Sequence, residues 1–176
     1  MDILIAVDLQ NDFITGALGN EQCAAAAENA AKYIRSFREK GGRIYATLDT
    51  HLENYLETRE GKDLPVPHCI KGSRGHELTD EIKSALGEDY TPVEKNTFGS
   101  KDLPLIIKED IGDGKIDSFI LIGVCTDICV ISNAMVLRAF FPEVPIRVAA
   151  SCCGGVTPES HENALAAMKS CQIIVE

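Results

Sequence analysis

Short apolar runs alternate with helical stretches along the whole chain, and this alternation constrains the fold more than any other feature. The runs that predict strands cover residues 2–9, 43–51, 90–98, 118–124, 145–153 and 172–176. The stretches that predict helices cover residues 23–40, 76–86, 102–111, 126–141 and 160–171. Repeated alternation of this kind is typical of a parallel sheet with helices on both faces. The sequence therefore predicts a three-layer, Rossmann-like α/β fold with a six-stranded, mostly parallel sheet, in one domain that spans residues 1–176.

The composition argues against several classes of function. The formal net charge is -10, whereas nucleic acids and anionic membranes attract clustered Lys and Arg. No apolar run approaches the roughly 20 residues of a membrane helix, and the first residues lack the basic start of a signal peptide. Seven cysteines, an odd number, fit a reducing compartment better than a disulfide framework. We therefore expect a cytoplasmic protein that binds neither nucleic acid nor membranes.

Two cysteines lie four residues apart in the segment GVCTDICV, between a predicted strand and a predicted helix. The spacing of Cys125 and Cys129 differs from the C-x-x-C of thioredoxin-type redox motifs. A zinc knuckle needs more soft ligands at short spacing. A cysteine in the first turn of a helix has its thiolate stabilised by the helix dipole. Before that position is considered, the residue chemistry favours buried core cysteines and one reactive thiol about equally.

Ionisable side chains occur at the ends of other predicted strands. Asp8 is either a turn acid or helix cap, or a buried acid that becomes a proton carrier when it is paired with a cation. Lys95, taken alone, is better explained as a solvated edge lysine. Active sites of open parallel sheets lie at the carboxyl ends of the strands, so one crevice can collect these residues and the cysteine segment.

A D-x-H pattern suggests a metal site. Asp49 and His51 are two residues apart on a predicted strand, so both side chains project from the same face. An oxygen and nitrogen pair of this kind suits a divalent metal, although the pattern is common. His68 and Glu60 are a third and a fourth candidate ligand in the long loop over residues 52–75, and such loops are usually functional. The metal prediction depends on whether these four side chains converge.

The order of these segments resembles the isochorismatase-like cysteine hydrolase superfamily, and within it the nicotinamidase-like branch. The matching segments are D-x-Q-N-D-F, D-x-H, P-x-H-C-x-x-G-x-x-G, a strand lysine and G-V-x-T-D-x-C-V, which together span almost the full chain. The resemblance implies a catalytic triad of Asp8, Lys95 and Cys129. It also implies a cis peptide bond between Val124 and Cys125, and an oxyanion hole formed by the backbone N–H groups of Cys125 and Cys129.

The resemblance also implies a cofactor and a reaction. Nicotinamidases hold zinc or a similar ion with ligands that match Asp49, His51 and His68, and Glu60 resembles an additional acidic ligand of some members. We therefore expect a divalent metal, Zn²⁺ first and Mn²⁺ or Fe²⁺ as alternatives. The implied reaction is hydrolysis of a small amide to a carboxylate and ammonia through a thioester on Cys129. Family members are commonly oligomeric, so a homo-oligomer is expected.

The chain departs from the family pattern because it contains no tryptophan. Many nicotinamidases stack the substrate ring between an aromatic residue that matches Phe13 and a tryptophan in the long loop, where Tyr55 is the candidate replacement. This departure weakens the case for nicotinamide as the substrate but leaves the amidase chemistry unaffected. The alternatives are a metal-free hydrolase that resembles N-carbamoylsarcosine amidohydrolase, and a thiol redox or sensing protein that uses Cys125 and Cys129. A non-catalytic binding module is the last alternative.

Overall fold

Six strands form one sheet in the computed structural model, which describes all 176 residues. They are β1 (Asp2–Val7), β2 (Arg43–Asp49), β3 (Thr91–Lys95), β4 (Ser118–Val124), β5 (Ile146–Gly154) and β6 (Ile174–Val175). The spatial order is β3-β2-β1-β4-β5-β6, and every neighbouring pair is parallel. The chain therefore starts at the centre, runs outward to β3 and crosses back to β4. The predicted α/β fold is confirmed.

Seven α-helices connect and cover the strands. They are α1 (Asn11–Ile14), α2 (Glu21–Arg38), α3 (Arg59–Asp63), α4 (Asp80–Leu86), α5 (Leu103–Ile111), α6 (Ile131–Phe140) and α7 (Pro158–Ser170). Side-chain caps define several starts: Asn20 accepts a hydrogen bond from the N–H of Cys23 in α2, and Thr157 forms a capping box with Ser160 in α7. No helix is long and apolar enough to cross a membrane.

Some predicted bounds shift, since α4 begins at Asp80 and not at residue 76, and β3 ends at Lys95 and not at residue 98. The structure also differs from the predicted elements in three other places. The predicted helix over residues 126–141 begins with a turn of π-helix, Thr126–Val130, before α6. The predicted loop over residues 52–75 contains a 3₁₀ turn at Tyr55–Glu57 and the short helix α3. The sequence prediction also missed α1, because its four residues are too few for a helical periodicity to show.

Two apolar cores lie on opposite faces of the sheet. One contains residues of α2 and α4 packed on alternate positions of the strands, such as Leu4 and Ala6 of β1. The other contains residues of α5, α6 and α7 packed on the intervening positions, such as Ile3 and Ile5. Because both faces are covered, the central strands read as continuous apolar runs. The strands carry most of their buried polar side chains at their carboxyl ends, and the connections that leave β1 and β4 there run to opposite halves of the sheet.

A close approach of β1 and β4 shapes that end of the sheet. Gly123 has a φ of 123°, and a Cβ built on it would lie 2.0 Å from the carbonyl oxygen of Val7. Only glycine tolerates both the backbone conformation and the contact. The approach lies one residue before Asp8 on β1 and two residues before Cys125 on β4, so it sets the separation of the two segments that follow.

We predict that Gly123→Ala destabilises the protein by about 3 kcal/mol or more, because backbone atoms have to move to admit the methyl group. Gly112→Ala is the matched control: Gly112 also has a positive φ, 56°, but a Cβ there meets no atom within 4 Å. We expect the control to lose only about 1 kcal/mol. Urea denaturation of both variants measures the difference, and equal losses would contradict this explanation.

Candidate active site

Lys95 is at the centre of a buried cluster of ionisable side chains at the carboxyl end of the sheet. Its Nζ lies 2.7 Å from Oδ2 of Asp8, 3.3 Å from Oδ1 of Asp49 and 3.5 Å from Sγ of Cys129. Asp8 is fully buried and Lys95 is 5% exposed. The interpretation of Lys95 as a solvated edge lysine is therefore wrong, because the flanking acids make its burial favourable.

Each member of this cluster stands at or just after the end of a different strand. Asp49 and Lys95 are the last residues of β2 and β3, and Cys129 lies in the π-helical turn after β4. Asp8 follows β1 with a φ of 49°, a left-handed conformation that Asp adopts more readily than most residues. Thr47 of β2 fixes its carboxylate by donating a 2.6 Å hydrogen bond to Oδ1. The parallel topology thus brings together residues that are far apart in sequence.

Burial and neighbouring charges shift the pKa of each group in the cluster. Burial raises the pKa of Asp8, and Lys95 opposes that shift. Burial alone would lower the pKa of Lys95, but Asp8, Cys129 and Asp49 raise it above its ordinary value. Burial, followed by the charge of Asp8, raises the pKa of the Cys129 thiol well above its ordinary value. Lys95 therefore stays charged, while burial favours keeping a proton on Asp8 or Cys129.

This direction differs from the thiolate stabilisation expected for Cys129 in the first turn of a helix. Cys129 lies in the π-helical turn Thr126–Val130 and not in the first turn of α6. Its side chain is also buried against Asp8, which disfavours a second negative charge. The thiol therefore needs a base beside it to be activated.

The two cysteines of GVCTDICV have different surroundings. The peptide bond between Val124 and Cys125 is cis, and the carbonyl of Cys125 accepts two N–H hydrogen bonds from the turn Thr126–Val130. A hydrogen bond to Cys23, together with burial, raises the pKa of the Cys125 thiol. The sulfur of Cys129 instead contacts the ammonium of Lys95. Cys125 thus contributes main chain to the turn and directs its sulfur to α2.

The four candidate metal ligands converge beside this cluster. One ligand atom from each of Asp49, His51, Glu60 and His68 lies within 4.8 Å of all the others. Asp49 Oδ2 is 2.9 Å from Nε2 of His51 and 3.3 Å from Nε2 of His68. The other nitrogen of His68, Nδ1, hydrogen-bonds to the carbonyl of Val66, which directs Nε2 at the group. Two imidazoles and two carboxylates are a donor set that suits zinc, manganese or iron.

Gln10 supports this group and was given no role by the sequence interpretation. Its buried side-chain amide donates to the carbonyls of Asp49 and His76, and its Oε1 accepts from the N–H of Asp49. These bonds fix the backbone of Asp49, whose two carboxylate oxygens face Lys95 and the histidines. A polar residue directly after a buried strand was the available signal, because a buried amide has to find partners.

Aromatic rings surround the two histidines. Tyr55 packs edge-on against His51 and His68 at centroid distances of 4.7 and 5.0 Å, and its hydroxyl donates to the carbonyl of Leu64. Tyr55 is 1% exposed, so it packs behind the ligand group, which differs from the expectation that it faces the substrate. Phe13 makes a similar edge contact with His68 at 5.5 Å and is largely buried.

A cavity of about 720 Å³ opens next to the ligand group. Four apolar side chains and two of the candidate ligands are among the residues that line it: Leu52, Leu64, Phe98, Ile128, His51 and Glu60. Phe98 is 48% exposed and supplies the one phenyl ring of this lining. The sequence interpretation placed Phe98 at the exit of a strand and gave it no role. An aromatic residue three positions after a buried lysine was the available signal.

The parallel strand order, with its polar cluster at the carboxyl ends of the strands, places the chain among the doubly wound α/β proteins. The isochorismatase domain family model matches residues 2–176, and the chain belongs to that family. The predicted resemblance to isochorismatase-like proteins is thereby confirmed.

Relatives and solved structures agree with this assignment. The chain is 30% identical over 141 residues to Nicotinamidase 1 of Arabidopsis thaliana. This match covers 72% of this chain but only 56% of the plant protein. It is 25% identical to the nicotinamidase of Escherichia coli, with 94% and 89% covered. A structure of the pyrazinamidase of Pyrococcus horikoshii in complex with zinc superposes with a TM-score of 0.84 at 30% identity, covering 99% of this chain and 98% of that chain. The N-carbamoylsarcosine amidase of Thermoplasma acidophilum shares the fold, with a TM-score of 0.81 at 23% identity, covering 99% and 95%.

We predict that Lys95→Met lowers the free energy of unfolding by about 3 kcal/mol or more, because it leaves the buried acids without their counter-charge. Lys101→Met is the matched control, since Lys101 pairs with Asp102 at the surface and is mostly exposed. We expect that control to change stability by about 0.5 kcal/mol or less. Denaturation of metal-depleted samples at neutral pH measures both variants. A Lys95→Met protein as stable as the control would show that the ion pair does not stabilise the site.

Proposed function

We propose that the protein is a metal-assisted amidase of the nicotinamidase type, which hydrolyses the C–N bond of a small amide. The observation that carries this proposal is the contact of one buried ammonium, Lys95, with both Asp8 and Cys129 beside a four-residue ligand group. The relatives named nicotinamidase and the zinc-bound pyrazinamidase support it. The whole of residues 1–176 acts as one catalytic domain in this proposal, in a homo-oligomer.

Cys129 is the proposed nucleophile and Asp8 its base. Oδ2 of Asp8 lies 2.7 Å from Nζ of Lys95 but accepts no hydrogen bond of good geometry, so a lone pair is available for a proton. As Asp8 takes the thiol proton, the sulfur attacks the amide carbon and the carbonyl electrons move to oxygen. Asp8 then passes the proton to the leaving nitrogen, and ammonia departs as the thioester forms. Lys95 stabilises the negative charge on whichever partner carries it.

The backbone N–H groups of Cys125 and Cys129 are the proposed oxyanion hole. Donors placed at a developing oxyanion contribute roughly 3 kcal/mol each in other enzymes. The short turn between the two residues can therefore supply both the nucleophile and the donors. In the second half of the reaction Asp8 removes a proton from water as the water oxygen attacks the thioester carbon. The C–S bond then breaks, Asp8 returns that proton to the sulfur of Cys129, and the product leaves as a carboxylic acid. The acid ionises to the carboxylate, and the ammonia released earlier takes up its proton.

Asp49, His51, His68 and Glu60 are the proposed ligands of a divalent metal, with Zn²⁺ first and Mn²⁺ or Fe²⁺ as alternatives. A bound ion would supply Lewis acidity and a fixed point for a heteroatom of the substrate or for water. Tyr55 holds the two imidazole rings from behind. Phe98, and not Tyr55, is the proposed aromatic wall of the cavity in place of the missing tryptophan. Phe13 remains a proposed substrate contact near His68.

We predict that Cys129→Ala lowers ammonia release by about 1000-fold or more, because the variant has no nucleophile. The assay uses a panel of amides with nicotinamide first, followed by pyrazinamide, benzamide and N-carbamoylsarcosine. Cys125→Ala is the matched control, since only its backbone is used, and we expect it to retain activity within about tenfold. A Cys129→Ala protein with substantial activity would exclude this mechanism. A severe loss in folded Cys125→Ala would favour a function that uses both thiols.

We predict that the purified protein carries one divalent metal per chain and that His68→Ala lowers the metal content by about tenfold or more. His161→Ala is the control, because His161 hydrogen-bonds to Thr126 and lies outside the ligand group. Elemental analysis after dialysis gives the metal content, and assays with and without a chelator give its effect on turnover. A metal-free protein with full activity would favour the runner-up, a metal-free C–N hydrolase.

A further inference from the structure

Asn133 of α6 has a buried side-chain amide whose three hydrogen bonds all go to backbone of the candidate site. Its Nδ2 donates to the carbonyl of Cys129 at 2.8 Å and to the carbonyl of Phe98 at 3.2 Å. Its Oδ1 accepts from the N–H of Ser100 at 2.9 Å. Asn133 itself is 0% exposed. One side chain thus connects the turn of the proposed nucleophile with the segment that follows Lys95.

The segment over residues 98–100 lies directly on α6, the helix that carries Asn133. A Cβ built on Gly99 would lie 3.1 Å from the carbonyl oxygen of Ser132, so the backbone of the segment touches the helix. Phe98 itself is half exposed and lines the cavity. No strand or helix contains residues 98–100. The Asn133 hydrogen bonds to Phe98 and Ser100 therefore tie the backbone on both sides of Gly99 to α6, in addition to its packing against Ser132.

We propose that Asn133 is a positioning residue, which holds the Cys129 turn and the Phe98 wall of the cavity in a fixed relation. The inference rests on the proposed role of Cys129 as the nucleophile. The Cys129 carbonyl belongs to the residue whose sulfur reacts, so a shift of this carbonyl moves Sγ relative to Lys95 and Asp8. The same amide fixes the Phe98 carbonyl, so Asn133 holds both the cavity wall that would contact the substrate and the turn that carries the proposed nucleophile. A misplacement of about 1 Å costs on the order of 100-fold in rate in other enzymes.

Two substitutions separate the two halves of this role. Asn133→Ala removes all three bonds. Asn133→Ser keeps a hydroxyl that can bond to the carbonyl four residues earlier in a helix, which is that of Cys129. The serine side chain is too short to reach residues 98 and 100. Asn29→Ala is the control, because Asn29 belongs to α2, which packs on the opposite face of the sheet from α6, and its side chain donates to the carbonyl of Ser151.

The measurements are kcat and KM for the best amide of the panel, the rate at which iodoacetamide alkylates Cys129, and the thermal midpoint. Peptide mass spectrometry follows Cys129 separately from the other cysteines. For Asn133→Ala we expect kcat to fall by about tenfold to 100-fold, and the alkylation rate to change by about tenfold. For Asn133→Ser we expect KM to rise by about tenfold, with the alkylation rate within about twofold of the unsubstituted protein. We expect Asn29→Ala to leave kcat, KM and the alkylation rate unchanged.

A folded Asn133→Ala protein with unchanged kcat, KM and alkylation rate overturns the proposal, even if its thermal midpoint falls, because the side chain is then only structural. If Asn133→Ala does not fold, Asn133→Ser decides: a raised KM with normal alkylation supports the proposal, and an unchanged KM overturns it. Alkylation does not require turnover. If the unsubstituted protein hydrolyses no amide, the proposed function fails, while the alkylation rates still show whether Asn133 positions Cys129.

Discussion

The buried ammonium of Lys95 is the interaction on which the site depends. Two carboxylates and a thiol lie within 3.5 Å of it, and none of these groups could share an apolar setting as anions without a cation. The parallel sheet supplies the apolar setting, because both of its faces are covered and only the strand ends remain for polar groups. Asp49 links the two parts of the site, with one oxygen toward Lys95 and the other toward His51 and His68.

The structure assigns separate tasks to neighbouring residues of similar type. Cys129 contacts Lys95 while the sulfur of Cys125 neighbours Cys23 of α2, so the two thiols of one short segment do not form a pair. Tyr55 is fully buried behind the histidines, whereas Phe98 lines the cavity. Exposure distinguishes these two rings, because Phe98 has a face that a ligand in the cavity can meet, whereas Tyr55 has almost none.

Much of the fold and part of the site could be predicted from the sequence. The strand over residues 118–124 matches its predicted bounds because every residue in it is buried, so its apolar run has no interruption. The predicted strand placed Asp49 and His51 on one face and the resemblance added His68, but only the structure shows that the three side chains converge. Glu60 lies in α3 within a long loop, and its place at the ligand group depends on loop contacts that periodicity does not encode. Asn133 could not be found because its partners are backbone groups, which leave no trace in the sequence.

The most direct test of the central claim is to trap the acyl intermediate. The protein is mixed with an excess of an amide that it hydrolyses and quenched in acid within the first turnovers. The quenched protein is then digested and analysed by mass spectrometry. We expect an adduct with the mass of the acyl group at the sulfur of Cys129, and we expect this adduct to decay as product forms. Turnover without an adduct under conditions where thioester hydrolysis is slowed, or an adduct on Cys125, would contradict it.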